Sequence, residues 1–154
     1  MFSLIITIIS IALVAALAVA TIYYGGSAFS NGSAKAEAAT IVSNAQQVTG
    51  ANTLYANDNS GTYATSIATL TPTYLASAPV PPTNAASTYA VSSTNEFTAT
   101  VLSKQVCSQI DATVGLLTIP SSKPTTAPAQ YYCYSVAGTG TSGSATYDFV
   151  YAGG

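Results

Sequence analysis

The sequence carries very little charge. Its 154 residues include three lysines but no arginine, histidine or tryptophan, and only 5% of the residues are charged. The net charge of −2 excludes a basic surface that binds nucleic acid by counterion release, so no direct nucleic-acid partner is expected. Chains this poor in charge are often disordered, but Tyr, Val, Ile and Leu recur throughout. This pattern favours a folded domain in a densely packed extracellular assembly.

The lack of histidine removes the commonest general base and the commonest metal ligand. No glycine-rich loop has a phosphate-binding form. We therefore expect no enzyme activity, and no catalytic, cofactor-binding or metal-binding residues. A hydrolase would require two carboxylates to meet in space. The five acidic residues show no motif spacing; they are Glu37, Asp58, Glu96, Asp111 and Asp148.

The first charged side chain is Lys35, and the run from Met1 to Ile22 contains only apolar residues and small hydroxyls. At about 1.5 Å per residue, this run gives roughly 33 Å of helix, enough to cross a bilayer. The rest of the chain, about 130 residues, suffices for one domain but not for a core that also buries this rod. We expect a membrane anchor before assembly that becomes the core of a filament afterwards.

The small residues Ala18-Val19-Ala20 resemble the cleavage site of a secretory signal peptide. A signal peptide also has a basic segment before its apolar run, and none precedes this one. The favoured interpretation is that Met1 begins a mature chain whose basic leader has been removed. An intact precursor is the alternative.

Two stripes of residues in the first helix indicate packing against copies of itself. Small residues let helix backbones approach in apolar surroundings, and hydroxyls bond across helices or to carbonyls of their own helix. A single membrane anchor with ordinary alanine content fits the same spacing. The small stripe is Ala12, Ala16 and Ala20, and the hydroxyl stripe is Ser3, Thr7 and Ser10.

Gly25-Gly26 predicts a helix break over residues 25–32, because each glycine costs about 1 kcal/mol relative to alanine. Ser33 is expected to cap a second, amphipathic helix over 33–57 that lies on a sheet. Its buried face is predicted to be Ala36, Ala39, Val42, Ala45, Val48 and Leu54.

The expected fold class is α+β. A filament-core helix over 1–24 and the break over 25–32 precede a globular domain, 33–154, whose part from 58 to 154 is loop and antiparallel sheet. The predicted elements are a hairpin of Thr88–Ser92 and Glu96–Leu102, a helix over Ser103–Val114, a short strand at Leu116–Ile119, and strands at Gln130–Val136 and Thr146–Tyr151 joined by a flexible connection over 138–144.

Two cysteines, Cys107 and Cys133, follow the membrane-type segment, and this predicts one disulfide in an oxidising compartment. The alternative is a pair of buried thiols in a cytosolic domain. A bridge would restrict the unfolded chain by roughly 3.5 kcal/mol in the entropic account.

Taken together, these features resemble a mature type IV pilin, and more narrowly the type IVb branch of toxin-coregulated, bundle-forming and conjugative thin pili. The resemblance covers essentially the whole chain. It rests on the apolar segment Met1–Tyr24, the amphipathic segment Ala34–Asn57, the run Tyr63…Leu70-Thr71-Pro72-Thr73-Tyr74-Leu75…Pro79, the strand-to-helix stretch Glu96-Phe97-Thr98 to Ser103-Lys104-Gln105-Val106-Cys107, and Cys133 near the C-terminus.

The resemblance implies a pilin fold and a major pilin that polymerises with identical subunits into an extracellular filament. It also implies an inner-membrane assembly platform, an assembly ATPase system and a prepilin peptidase as partners, with single-pass insertion in the inner membrane before assembly. The alternative is a membrane-tethered minor pilin or adhesin that acts as a binding module. Conjugation, adhesion, DNA uptake and motility all remain open as roles.

One position departs from the family. Its fifth mature residue is usually a glutamate, thought to pair with a neighbour's N-terminal amine, whereas this chain has Ile5. Either the mature chain begins elsewhere, or the subunit docks without that ion pair. In the second case the amine of Met1 must be satisfied by hydroxyls such as those of Ser3 and Thr7, by carbonyls, by modification, or not at all.

Overall fold

The computed structural model describes residues 2–83, 85–136 and 146–153. Met1 and the connection predicted over 138–144 lie outside the described residues. The chain divides into two compact units, Met1–Ser33 and Ala34–Gly154. The second unit is called the head.

The described residues form an α+β fold with three helices and four strands, which confirms the expected class. The elements are α1 (Phe2–Asp58), α2 (Ile67–Leu70), β1 (Ala86–Val91), β2 (Glu96–Val101), α3 (Lys104–Thr113), β3 (Tyr131–Val136) and β4 (Thr146–Ala152).

Helix α1 continues without interruption through Gly25 and Gly26. The predicted helix break over 25–32 is therefore wrong. Ser33 is likewise a helical residue and not an N-cap. A glycine penalty of about 1 kcal/mol is a weak local preference, and the long helical runs on both sides outweigh it because propagation needs no new nucleus.

Within the head, α1 buries an alanine-rich face. Small side chains there allow the helix to lie close to the sheet, with Ile41 and Val48 supplying the larger apolar groups. The predicted face is correct for Ala45 and Val48, and partly correct for the half-buried Val42. It is wrong for three exposed residues, Ala36, Ala39 and Leu54. Alanines occur on every side of this helix, so their spacing did not define which side faces the core.

The four strands form one antiparallel sheet in the order β1-β2-β4-β3. Alternate residues of the central strands point into the core, where the rings of Phe97 and Phe149 lie 6.2 Å apart. The predicted hairpin is confirmed: Asn95 in its turn has φ of 58°, and the amide of Ser92 donates to the carbonyl of Glu96.

Helix α3 is confirmed and packs on the sheet through Val106, Cys107 and Ile110. The short strand predicted at Leu116–Ile119 is wrong, because these residues form no strand. Gly115, with φ of 79°, ends the helix and lets the amide of Leu116 donate back to the carbonyl of Asp111 at 2.9 Å.

Candidate functional site

The N-terminal unit presents an apolar surface that the unit itself does not bury. Every described residue from Phe2 to Ser33 is exposed, and the large apolar side chains between Phe2 and Phe29 are 53% to 85% exposed. Among the described residues, α1 is the one helix that is long and apolar enough to cross a membrane. An isolated chain in water would therefore expose an unusually large hydrophobic area.

Hydroxyl groups on this surface bond within their own helix. Thr7 donates to the carbonyl of Leu4 at 2.9 Å, Ser10 to that of Ile6 at 2.8 Å, and Thr21 to that of Ala18 at 2.9 Å. Their protons are therefore already satisfied, and the hydroxyls do not oppose burial in lipid or among other apolar helices.

The predicted assembly residues all lie on this helix, apart from Met1, which is outside the described part of the chain. Ser3, Ile5 and Thr7 occupy its first turns and are exposed. Ala12, Ala16 and Ala20 are exposed too, and their spacing of four places them along one face. Their role in assembly stays a prediction. At Gly25 and Gly26, an added Cβ would meet nothing within 4 Å in the single chain.

The head contains the predicted disulfide. Cys107 on α3 is bonded to Cys133 on β3, with Cα atoms 5.7 Å apart, and both residues are fully buried. The bridge joins the helix to an edge strand of the sheet. It therefore fixes α3 against the layer on which α1 also packs.

Next to the bridge lies a buried carboxylate, that of Asp111, which is 1% exposed. Its Oδ1 accepts a hydrogen bond from the amide of Cys133 at 2.7 Å. Its Oδ2 has no hydrogen-bond partner among the residues that the structure describes. Burial raises the pKa of this carboxyl to about 6, and the amide of Cys133 opposes the shift.

The other acids have separate partners. Asp58 accepts from the hydroxyl of Tyr74 at 2.8 Å, and this bond raises the pKa of Tyr74. Glu37 lies on α1. Glu96 forms a salt bridge of 2.8 Å with Lys123, and that hydrogen bond raises the pKa of the lysine.

The side of the sheet opposite the helices carries a polar cluster. There Asp148 accepts from the hydroxyl of Tyr134 at 3.1 Å and from that of Thr100 at 3.5 Å. Burial, followed by the charge of Asp148, raises the pKa of Tyr134 to about 12. Tyr134 therefore stays protonated as a donor at physiological pH.

A groove of about 270 Å³ lies on the head between α1 and α3. Apolar atoms of Val42, Ile110 and Tyr131 line most of it, with Lys35 and Gln46 also present. Its apolar lining suits it to receive an apolar group of another molecule.

Four buried polar residues were not predicted from the sequence: Thr49, Asn52, Asn95 and Asp111. The burial of Asp111 could have been predicted from the sequence. Asp111 follows Cys107 by one helical turn, on the side of the helix that carries the apolar residues. Asn52 and Asn95 belong to distant segments, and only the folded chain brings them together.

Comparison with known proteins identifies no relative: no protein-family model, curated protein or solved structure matches this chain.

Proposed function

We propose that this chain is a structural filament subunit, a major pilin of the type IV kind with a pilin fold, which polymerises through its N-terminal helix. One observation carries the proposal: the apolar side chains from Phe2 to Phe29 are exposed along a helix whose unit does not bury them. The disulfide between Cys107 and Cys133 and the scarcity of charge support an extracellular location for the head.

Burial of the helix among identical helices supplies the driving force. If assembly removes about 1,000 Å² of apolar surface from water, the gain is roughly 25 kcal/mol. The gain from lipid is far smaller, because acyl chains are already apolar. Before assembly the subunit therefore resides in the inner membrane as a single-pass protein. Its extraction from the membrane needs the assembly ATPase system and platform that the pilin resemblance implies.

The contact between subunits is heterologous, because one subunit's helix packs against different faces of its neighbours. A heterologous contact that does not close into a ring extends without limit and forms a helical homopolymer. The hydroxyls of Thr7 and Ser10 bond within their own helix, so they bring no unpaired donor into such a core.

The test is to shear cells that express the chain, sediment the supernatant, and examine the pellet by electron microscopy with an antibody against the head. We expect abundant labelled fibres whose reconstruction places the N-terminal helices along the axis. An Ile9→Asp variant, which puts a charge on the apolar helix, is expected to yield none while its head still folds. Recovery of the native chain only as single molecules in membranes would overturn the proposal.

The alternative function is that of a membrane-tethered minor pilin or adhesin. The groove between α1 and α3 is the specific feature that favours a binding role. Sparse label at the tips of fibres built from another protein would indicate the minor pilin, and label over the membrane alone would indicate the adhesin.

A further inference from the structure

The carboxyl group of Asp111 lies next to the disulfide, on the helix of Cys107 and bonded to the amide of Cys133. Asp111 follows Cys107 by four residues on α3, so the two side chains occupy the same face one turn apart. Across the bridge, Asp111 Oδ1 is held 2.7 Å from the amide nitrogen of Cys133. One side chain thus adjoins both halves of the bridge.

The second carboxylate oxygen, Oδ2, is buried and has no donor among the described residues. A carboxylate oxygen in this situation is costly, because burial removes its water without replacing it. A disulfide has no proton to donate, whereas each thiol of the reduced chain has one. Reduction of the bridge therefore creates, on the two residues that adjoin Asp111, the kind of donor that the oxidised chain lacks.

We propose that Asp111 accepts the proton of the attacking thiol when the Cys107–Cys133 bridge closes, and returns it when the bridge is reduced. The thiolate is the nucleophile in disulfide exchange, and apolar surroundings hold a buried thiol in its protonated form. Both cysteines are fully buried in the closed head. Oxidised glutathione reaches one of them when the head opens locally, and the second thiol, once enclosed again, needs a base inside the core. Asp111 is the acid that lies one helical turn from Cys107 and accepts from the amide of Cys133.

The reaction balances with a small disulfide as the oxidant. One cysteine exchanges with oxidised glutathione, forms a mixed disulfide and releases one glutathione. The other thiol gives its proton to Asp111, attacks the cysteine sulfur of the mixed disulfide, and expels the second glutathione as a thiolate, which takes up a proton. Two electrons pass from the two cysteines to glutathione, and Asp111 returns to its starting state by releasing its proton.

The surroundings of Asp111 suit this role. Burial raises its pKa to about 6, which brings it closer to the pKa of a thiol, about 8.5, while leaving it ionised at neutral pH. The strands packed against α3 are β2, β3 and β4, and their core-facing titratable groups are Tyr131, Tyr147 and Tyr151. From α1, Lys35 lines the groove beside Ile110.

The test uses the full chain in detergent, reduced with dithiothreitol, desalted, and reoxidised with oxidised glutathione. Acid quenching and mass spectrometry follow the conversion of mixed disulfide into the closed bridge. At pH 7, Asp111→Asn is expected to slow closure roughly 100-fold, at the lower end of general-base contributions. Asp148→Asn, the same change on the opposite side of the sheet, is expected to leave the rate unchanged.

The pH profile of the native chain tests the proposal without any variant. Its closure rate should rise as Asp111 ionises and then level off above about pH 7, because the carboxylate is the base. A rate that instead climbs about tenfold per pH unit up to pH 8 follows thiol ionisation and overturns the proposal.

The third measurement is the rate at which dithiothreitol reduces the folded, oxidised native chain and Asp111→Asn. At pH 6, where about half of the Asp111 carboxyls carry a proton, Asp111→Asn should slow reduction as well, because the leaving sulfur loses its proton donor. If Asp111 only supports the fold, the variant is reduced at least as fast as the native chain. Closure at the native rate in Asp111→Asn likewise contradicts the proposal.

Discussion

Asn52 on α1 donates a hydrogen bond from Nδ2 to Oδ1 of Asn95 in the β1–β2 turn, across 3.1 Å. Oδ1 of Asn52 accepts from the amide of Ala64 at 2.8 Å, and Asn52 is fully buried. The carbonyl of Asn95 in turn accepts from the amide of Gly153 at 3.0 Å. One buried amide therefore ties the helix of the head to the loop that follows it and to the hairpin.

Replacing this amide should destabilise the head strongly. Asn52→Ala leaves the amide of Ala64 and Oδ1 of Asn95 without their partner in the interior, and we expect a loss of about 2–4 kcal/mol in the free energy of unfolding. Urea unfolding of the full chain in detergent, followed by tyrosine fluorescence, measures it. Asn59→Ala removes an exposed bond to the carbonyl of Tyr55 and should cost less than about 1 kcal/mol. Equal effects of the two variants would contradict this account.

Gly153 should not tolerate a side chain. A Cβ there would lie 2.6 Å from Nδ2 and 2.8 Å from the carbonyl oxygen of Asn95, and the carbonyl belongs to a turn that cannot shift freely. Gly153→Ala is expected to lower stability by about 1–3 kcal/mol in the same urea assay. Gly50→Ala, in open space on α1, should instead raise it by about 0.5–1 kcal/mol.

Asp111 should make the head more stable in acid. Its pKa is raised from 3.8 to about 6 in the folded chain, so folding favours the protonated form. Its contribution to stability is complete below about pH 4, and is lost as the pH rises from about 4 to 6. Melting temperatures between pH 3.5 and 7.5 should fall across this window in the native chain, and less steeply in Asp111→Asn. Parallel curves for the two proteins would exclude Asp111 as the cause.

The double change Gly25→Ala plus Gly26→Ala tests flexibility in the proposed filament. The single chain has room for both methyl groups, so the variant should fold and insert normally. Because alanine favours the helix by about 1 kcal/mol per site, local melting and bending on packing become harder. We expect fewer or stiffer fibres by electron microscopy. Gly32→Ala, also in open space, is the control; native fibre yield and persistence length in the double variant would contradict this role.

If the stripe of Ala12, Ala16 and Ala20 is a contact between helices, assembly should tolerate only small side chains there. Ala16→Leu should reduce the yield of sheared fibres at least about tenfold, because a larger side chain holds neighbouring helices apart. Val14→Leu adds one methylene at an exposed position on the opposite side of the helix from the alanine stripe and should leave the yield near native. Equal membrane content of the two variants, measured by immunoblot, shows that insertion is unaffected. Equal fibre yields would show that the alanine face is not a contact.

Several features could be predicted from the sequence because they depend on local pattern. The apolar run before Lys35 needs no tertiary information to identify it as a long, lipid-compatible helix. The hairpin around Asn95 follows from β-branched and aromatic runs flanking a turn segment, and α3 follows from the spacing of Val106 and Ile110. The disulfide followed from there being two cysteines after a membrane-type segment.

Tertiary packing decided the rest. The buried side of α1 in the head depends on where Ile41 and Val48 meet the sheet, since alanines on all sides give a weak local preference. Packing also placed Asn52 beside Asn95 and Asp111 beside Cys133, because residues 43 and 22 positions apart become neighbours only in the folded chain. The sequence alone determined which segment is too apolar for a small domain to bury. Only the tertiary structure determined which polar groups the head encloses, because burial depends on contacts between segments and not on the pattern within one.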